Sequence, residues 1–149
     1  MTDEVSQKLK EAIRHRIACI DRPTLNGFAG TGRSKRRENQ STHTIATRIV
    51  DEGLHPFLFH WNHGNREPAT RNDVYLTVVT TLLDIDDEDA RRWTDRSEWD
   101  IARFEATRDM VAALTSKFVV TKRRTVIIVP ENYSFGSHNI SESRYEDEL

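Results

Sequence analysis

A single cysteine, Cys19, stands in the 149 residues of this chain, and that scarcity excludes an internal disulfide framework and any zinc site built on cysteine. No run approaches the roughly 20 apolar residues that span a bilayer, so no membrane partner is expected. The amino terminus (Met1, Thr2, Asp3, Glu4) lacks the basic start and apolar stretch of a secretory leader. Strong net charge is missing too: 22 Lys+Arg against 24 Asp+Glu give −2, which argues against a histone-like polycation. No leader is expected, and on that expectation the Asn-x-Ser sequons at Asn39, Asn132 and Asn139 and the terminal Glu-Asp-Glu-Leu are read as carrying no meaning. No internal repeat is visible.

Catalytic signatures are equally absent. There is no G-x-S-x-G elbow, no phosphate-cradling G-x-x-x-x-G-K-[ST] and no H-E-x-x-H. The stretch Gly27-Phe28-Ala29-Gly30-Thr31-Gly32 follows no strand and opens no helix, so it fails the context of a dinucleotide fingerprint. Asp84 to Asp89 resembles a calcium loop but lacks its central glycine and its twelfth-position glutamate, where Asp95 stands. No enzyme and no cofactor are expected.

What is present is 36% apolar and 31% charged residue, with 17 arginines to 5 lysines, an arginine bias of the kind a GC-rich genome produces. This suits a folded domain with a lean core, in a soluble, reducing setting. Thr2 to Ile20 reads as an amphipathic helix on Val5, Leu9, Ile13, Ile17 and Ile20, ended by Pro23, with Cys19 as a small buried hydrophobe. Residues 22–41 read as a long loop holding three glycines, a proline and the basic burst Arg33, Lys35, Arg36 and Arg37. Thr42 to Val50 reads as a strand, with 46–51 equally open to a short helix. His55 to Trp61 suggests a short strand with Pro56 at its start, and 73–83 the strongest strand, dense in β-branched residues.

That strand would carry Val74, Leu76, Val78 and Leu82 on one face and Tyr75, Thr77, Val79, Thr81 and Leu83 on the other. Both faces are apolar enough to be covered, one by a helix and one by a further subunit. An acidic connection with one helical turn near Ala90 to Trp93 leads to a helix opened by Ser97 and Asp100 as a capping box. Two strands follow, 117–121 and 125–129, joined by Lys122, Arg123 and Arg124. The expected class is α+β: a mainly antiparallel sheet with two helices packed on one face, a ferredoxin-like layout. It would fill residues 1–136, with a polar, acidic tail at 137–149.

Two constellations remain. His55, His60 and His63, with Glu67 or Asp73, have the residue types of a metal site, but His60 and His63 fall on opposite faces of a strand. A polar rim around an aromatic strand is the reading adopted, with no metal. The burst Arg33, Lys35, Arg36 and Arg37, extended by Arg123 and Arg124, has the composition of a phosphate-binding patch and suggests a nucleic-acid-associated or regulatory role.

The first helix from Val5, the strand Pro56-Phe57-Leu58-Phe59, the segment Val74-Tyr75-Leu76-Thr77-Val78-Val79, the helix from Trp99-x-Ile101-x-x-Phe104 to Leu114 and the closing hairpin to Val129-Pro130-Glu131 follow one another in an order. That order resembles the tail terminator, or neck-type tail-completion, proteins of long-tailed phages and related archaeal viruses. The resemblance implies a virion protein that assembles as a homo-oligomeric ring on the tail tube and meets the head connector. It further implies subunit contacts at Tyr75, Val79 or Leu83, and Arg33, Lys35, Arg36 and Arg37 facing a lumen through which DNA passes, or an acidic partner.

Overall fold

The computed structural model describes residues 3–128 and 142–146. Among them six α-helices dominate: α1 (Asp3–Ala18), α2 (Arg22–Ala29), α3 (Asn39–Arg48), α4 (Arg71–Leu83), α5 (Asp87–Arg92) and α6 (Trp99–Lys117). A π-helical turn, Ile49–Gly53, continues α3. β1 (Phe57–Trp61) pairs antiparallel with β2 (Phe118–Lys122), with Phe59 opposite Val120. β3 (Arg124–Ile128) pairs antiparallel with β4 (Glu142–Glu146) as a separate two-stranded sheet. The sheet-dominated, ferredoxin-like expectation is therefore overturned: the body is helical, with small two-stranded sheets. Residues 129–141 and 147–149, which hold the end of the expected second hairpin strand and most of the polar tail, lie outside the described residues.

The largest correction is at 73–83, which is helix α4 and not a strand. Positions 74, 78 and 82 are spaced four apart, a spacing that lands on one face in a helix and in a strand alike. Leu76 and Thr77 break the tie. In a strand Leu76 would join the buried even-numbered face, yet it is 52% exposed while Thr77 is 4% exposed. Helix is favoured over β-propensity by a capping box: Asp73 N–H donates to Thr70 Oγ1 (3.2 Å) and Thr70 N–H to Asp73 Oδ2 (2.8 Å). The threonines cost little inside α4, because Thr77 and Thr81 donate their hydroxyls to the carbonyls of Asp73 and Thr77.

The expected loop 22–41 is also largely helical. Asp21 caps α2 by accepting from Thr24 N–H, and Pro23 sits in the first turn, where its missing N–H is no loss. The proline that was expected only to close the first helix thus opens the second. Thr42, Ile45, Ala46 and Ile49 are buried at helical spacing, so the short-helix alternative is the one realised, extended back to Asn39. Ser97 does not cap α6; it donates to Asp95, and Glu98 takes the cap position.

The core lies where α1 and α4 pack against α6. Leu9, Ile13 and Ile17 of α1, Val78 and Leu82 of α4, and Met110 and Leu114 of α6 are all fully or almost fully buried. At one end Trp93, following α5, is stacked obliquely on Phe28 of α2 with ring centroids 4.4 Å apart. Cys19, expected in the core, is exposed just beyond α1, with Sγ 3.8 Å from His15 Nε2. No helix among the described residues is long and apolar enough to cross a membrane.

Candidate nucleic-acid interface

The basic burst lies in the turn 30–38 that joins α2 to α3. Gly30 ends α2 in the left-handed region (φ 77°), where a β-carbon would be strained and would also press on Arg37 Cγ at 3.2 Å. Its N–H and that of Thr31 both donate to the Asn26 carbonyl, and Glu38 N–H returns to the Gly27 carbonyl at 2.8 Å. The two helices meet closely here: a β-carbon on Gly27 would fall 2.0 Å from Ser41 Oγ.

Arg37 anchors this turn. Its Nε donates to the Phe28 carbonyl (2.8 Å), one Nη to the Ile85 carbonyl and the other to the Leu82 carbonyl (3.5 Å). It pairs with Asp87 at 3.3 Å and its guanidinium lies 4.8 Å from the centre of the Phe28 ring. One arginine thereby ties the end of α2 to the end of α4. The expectation that all four basic residues face a ligand is accordingly corrected for Arg37, which is committed to the protein. Arg33, Lys35 and Arg36 are exposed, and none of the three side chains forms an ion pair among the described residues. Lys35 adopts φ 55°, a left-handed conformation at the crest of the turn, where its N–H donates to Gly32.

Arg123 does not belong to this patch by its bonding: its Nε donates to the His55 carbonyl and its N–H to the Pro56 carbonyl, tying β2 to the approach to β1. The side chain of Arg124 lies outside the described residues.

Helix α3 continues directly from the basic turn. Its buried side holds Ser41, Thr42, Ile45 and Ala46, and its outer side carries Gln40, His43, Thr44, Thr47 and Arg48, with no carboxylate within the helix. These five side chains line one shallow groove that ends at Asp51 and Glu52. Both acids are engaged: Arg71 bonds Asp51 through two nitrogens (2.8 and 2.9 Å), and Arg16 bonds Glu52 at 3.0 Å. The Arg71 hydrogen bond holds the Asp51 carboxyl below the usual range, and the Asp51 bond in turn raises Arg71. The Arg71 guanidinium lies 4.9 Å from the centre of the Tyr75 ring, and the Tyr75 hydroxyl shares a hydrogen bond with His43 Nδ1. A chain of contacts thus runs from Asp51 through Arg71 and Tyr75 to His43 on the outer side of α3.

Tyr75, Val79 and Leu83 do not form the common subunit face expected of a strand. Tyr75 is occupied by His43 and Arg71, Val79 is buried in the core, and Leu83 is exposed. The histidines are likewise dispersed. His60 lies on β1 and bridges to Pro68, while His63 stands in the following turn with its ring 5.4 Å from Trp61. No group of three His, Cys, Asp or Glu among the described residues is placed to hold a metal ion. The acidic run 84–89 serves α5, whose cap is Asp86 accepting from Asp89 N–H.

Sequence reasoning singled out Arg33, Lys35 and Arg36 as candidates and did not single out Gln40, His43, Thr44, Thr47 and Arg48, which line the groove beside them. The signal for them was the helical spacing of Thr42, Ile45, Ala46 and Ile49, which puts the intervening polar residues outward. Compared with known proteins, the chain matches no protein-family model, no curated protein and no solved structure.

Proposed function

We propose that this domain binds nucleic acid through the turn between α2 and α3. The observation that carries the reading is the division of labour in the burst. Arg37 fixes the turn to the core, while Arg33, Lys35 and Arg36 form no ion pair among the described residues. They stand beside a helix that holds no carboxylate past its N-cap, Glu38, which accepts from Ser34 and Ser41. A turn whose backbone is already fixed presents its cations without a further backbone ordering cost, and each phosphate neutralised releases a counterion. With an overall charge of −2 the chain cannot bind a polyanion from every side, so the contact is confined to this face.

Three phosphate contacts predict a log–log salt slope of about −2.7 on duplex DNA, or roughly a 40-fold loss of affinity between 50 and 200 mM salt. Replacing Arg33, Lys35 and Arg36 together by alanine is expected to bring the slope near zero with an unchanged thermal midpoint. Fluorescence anisotropy over a salt series measures both. An unaltered slope in the triple variant would remove the turn from the interface.

A second reading follows from exposed apolar side chains. Leu76 and Leu83 on α4 and Ile101 and Phe104 on α6 are 40–57% exposed, which favours association with a further copy of the chain. The segment taken as the long strand of the tail terminator resemblance is helix, so this reading rests on these side chains and not on that strand. It describes a non-enzymatic virion protein, a ring on the tail tube facing the head connector, with the basic turn toward passing DNA. Light scattering and negative-stain imaging should show a closed oligomer that Leu83→Asp disperses into folded monomers. A monomer at every concentration, with and without DNA, would count against it.

A further inference from the structure

We infer that α3 is a reading helix for duplex DNA: the side chains of Gln40, His43, Thr44 and Thr47 meet base edges in the major groove while Arg33, Lys35 and Arg36 hold the flanking phosphates. This rests on the nucleic-acid reading above and adds to it the class of ligand and the source of its selectivity.

The chemistry of the helix carries the inference. Positions 40, 43, 44 and 47 follow the spacing that makes one stripe along a helix, and all four line the same groove. Their side chains are an amide, an imidazole and two hydroxyls. These are uncharged polar groups with little charge to spread over phosphates; Gln40 and Thr47 both donate and accept, while Thr44 and His43 each have one role taken by the protein. A surface evolved only for solubility is richer in lysine and glutamate, and one for phosphate alone is richer in arginine and lysine. Gln40 lies in the first turn of α3, nearest the basic residues, and a glutamine amide can pair with N6 and N7 of adenine at once. The threonine methyls suit the thymine methyl group; the Thr44 hydroxyl donates to the Gln40 carbonyl (2.9 Å) and is left to accept, so Thr47 brings the hydroxyl that can serve any base.

The position of His43 is set by the protein. Its Nδ1 is bonded to Tyr75, which is itself packed under Arg71, and Arg71 is held by Asp51. The ring therefore keeps one orientation, and Nε2 is the polar atom left to a ligand. Such prior ordering matters for selectivity, because a base-reading side chain that is already fixed discriminates by geometry. Asp51 and Glu52, at the far end of the groove, limit the contact to the amino-terminal part of α3, the part of a reading helix that usually meets base edges.

Groove dimensions select the nucleic acid. An α-helix with its side chains is about 10–12 Å across and enters the major groove of B-form DNA, about 12 Å wide. The corresponding groove of A-form RNA is too narrow to admit it.

The full-length chain is mixed with a pool of duplexes carrying a randomised core, and in parallel with a structured RNA pool of matching design; bound molecules are recovered and sequenced. A short preferred duplex motif of roughly three to four base pairs is the expected result. Gln40→Ala should weaken the preference at one position by about 5- to 100-fold while the salt slope stays as it was. Gln40→Glu, which keeps the shape and accepts only, should move that position from adenine toward cytosine. Tyr75→Phe, which frees His43, should blur a different position. Duplex binding with no preferred motif, or a motif unmoved by both Gln40 variants, would overturn the inference and leave the phosphate-binding turn standing. Enrichment from the RNA pool alone would overturn it in favour of an RNA ligand. Binding to neither pool would remove the underlying reading together with it.

Discussion

Arg37→Ala is expected to destabilise the domain by about 3 kcal/mol, the largest effect of any basic residue in the turn. The Arg37 side chain is 19% exposed and donates to the carbonyls of Phe28, Leu82 and Ile85. Truncation takes this donor from the Phe28 and Ile85 carbonyls, while the Leu82 carbonyl still accepts from Ile85 N–H at 3.3 Å. Hydrogen bonds from a charged group contribute about 1.5–3 kcal/mol each before the partial recovery that water provides. The guanidinium stacked on Phe28 is lost as well. Arg37→Lys keeps the charge but not the planar fork that serves three acceptors at once, so it should recover less than half of the loss. Urea denaturation followed by circular dichroism measures both variants. Arg36→Ala, one residue away and exposed, is expected to shift the midpoint little. If Arg36 and Arg37 variants proved equally stable, the anchoring role of Arg37 would be wrong, and both would return to the candidate interface as equals.

Trp93→Ala should be more damaging still, costing about 4 kcal/mol and lowering the thermal midpoint by roughly 10–15 °C. Trp93 is almost fully buried, and its ring meets that of Phe28, the same ring that Arg37 covers. Its carbonyl also accepts from an Arg103 Nη at 2.7 Å, linking the end of α5 to α6. Removing the indole opens a cavity between α2 and α5 that the neighbouring helices cannot close without moving. Because α2 carries the basic turn, the nucleic-acid binding proposed for that turn should fall with the folded fraction and return under conditions that restore folding. Trp93→Phe, which keeps an aromatic partner for Phe28, should cost well under half as much. Differential scanning calorimetry reads these changes directly. A Trp93→Ala protein with the parent midpoint would mean that this end of the molecule is not a cooperative part of the core.

The two substitutions converge on one small assembly, Phe28 between Trp93 and Arg37. It explains how a turn with two glycines and four basic residues is held in one conformation. A turn held only by its backbone would sample many shapes, and its cations would lose entropy on meeting a ligand. Fixing it through one arginine spares Arg33, Lys35 and Arg36 the backbone part of that loss.

Much of this architecture was present in the pattern of residues. α1 was legible because its apolar residues repeat at helical spacing over several turns, and α6 was legible as a helix although two of its large apolar residues, Ile101 and Phe104, are exposed. β1 and β2 were legible because short aromatic and β-branched runs are bounded by Pro56 and by the basic residues 122–124. The basic burst is plain in the sequence, but the long loop expected around it at 22–41 is mostly helix. α4 was not legible as a helix. Its β-branched residues favour a strand locally, and its buried residues at 74, 78 and 82 satisfy both periods at once. Only packing against α6, together with the Thr70–Asp73 cap, selects the helix.

The division within the burst was beyond sequence reasoning for a different reason. Arg36 and Arg37 are identical side chains at adjacent positions, and nothing local separates them. The carbonyls that claim Arg37 come from residues 28, 82 and 85, distant in the chain and brought together only when α2, α4 and α5 pack. The same is true of Tyr75 and His43, whose bond spans 32 positions. Composition and local spacing decide which chemistry a segment has available. Long-range packing decides which of those groups are consumed in holding the fold and which are left to face a ligand.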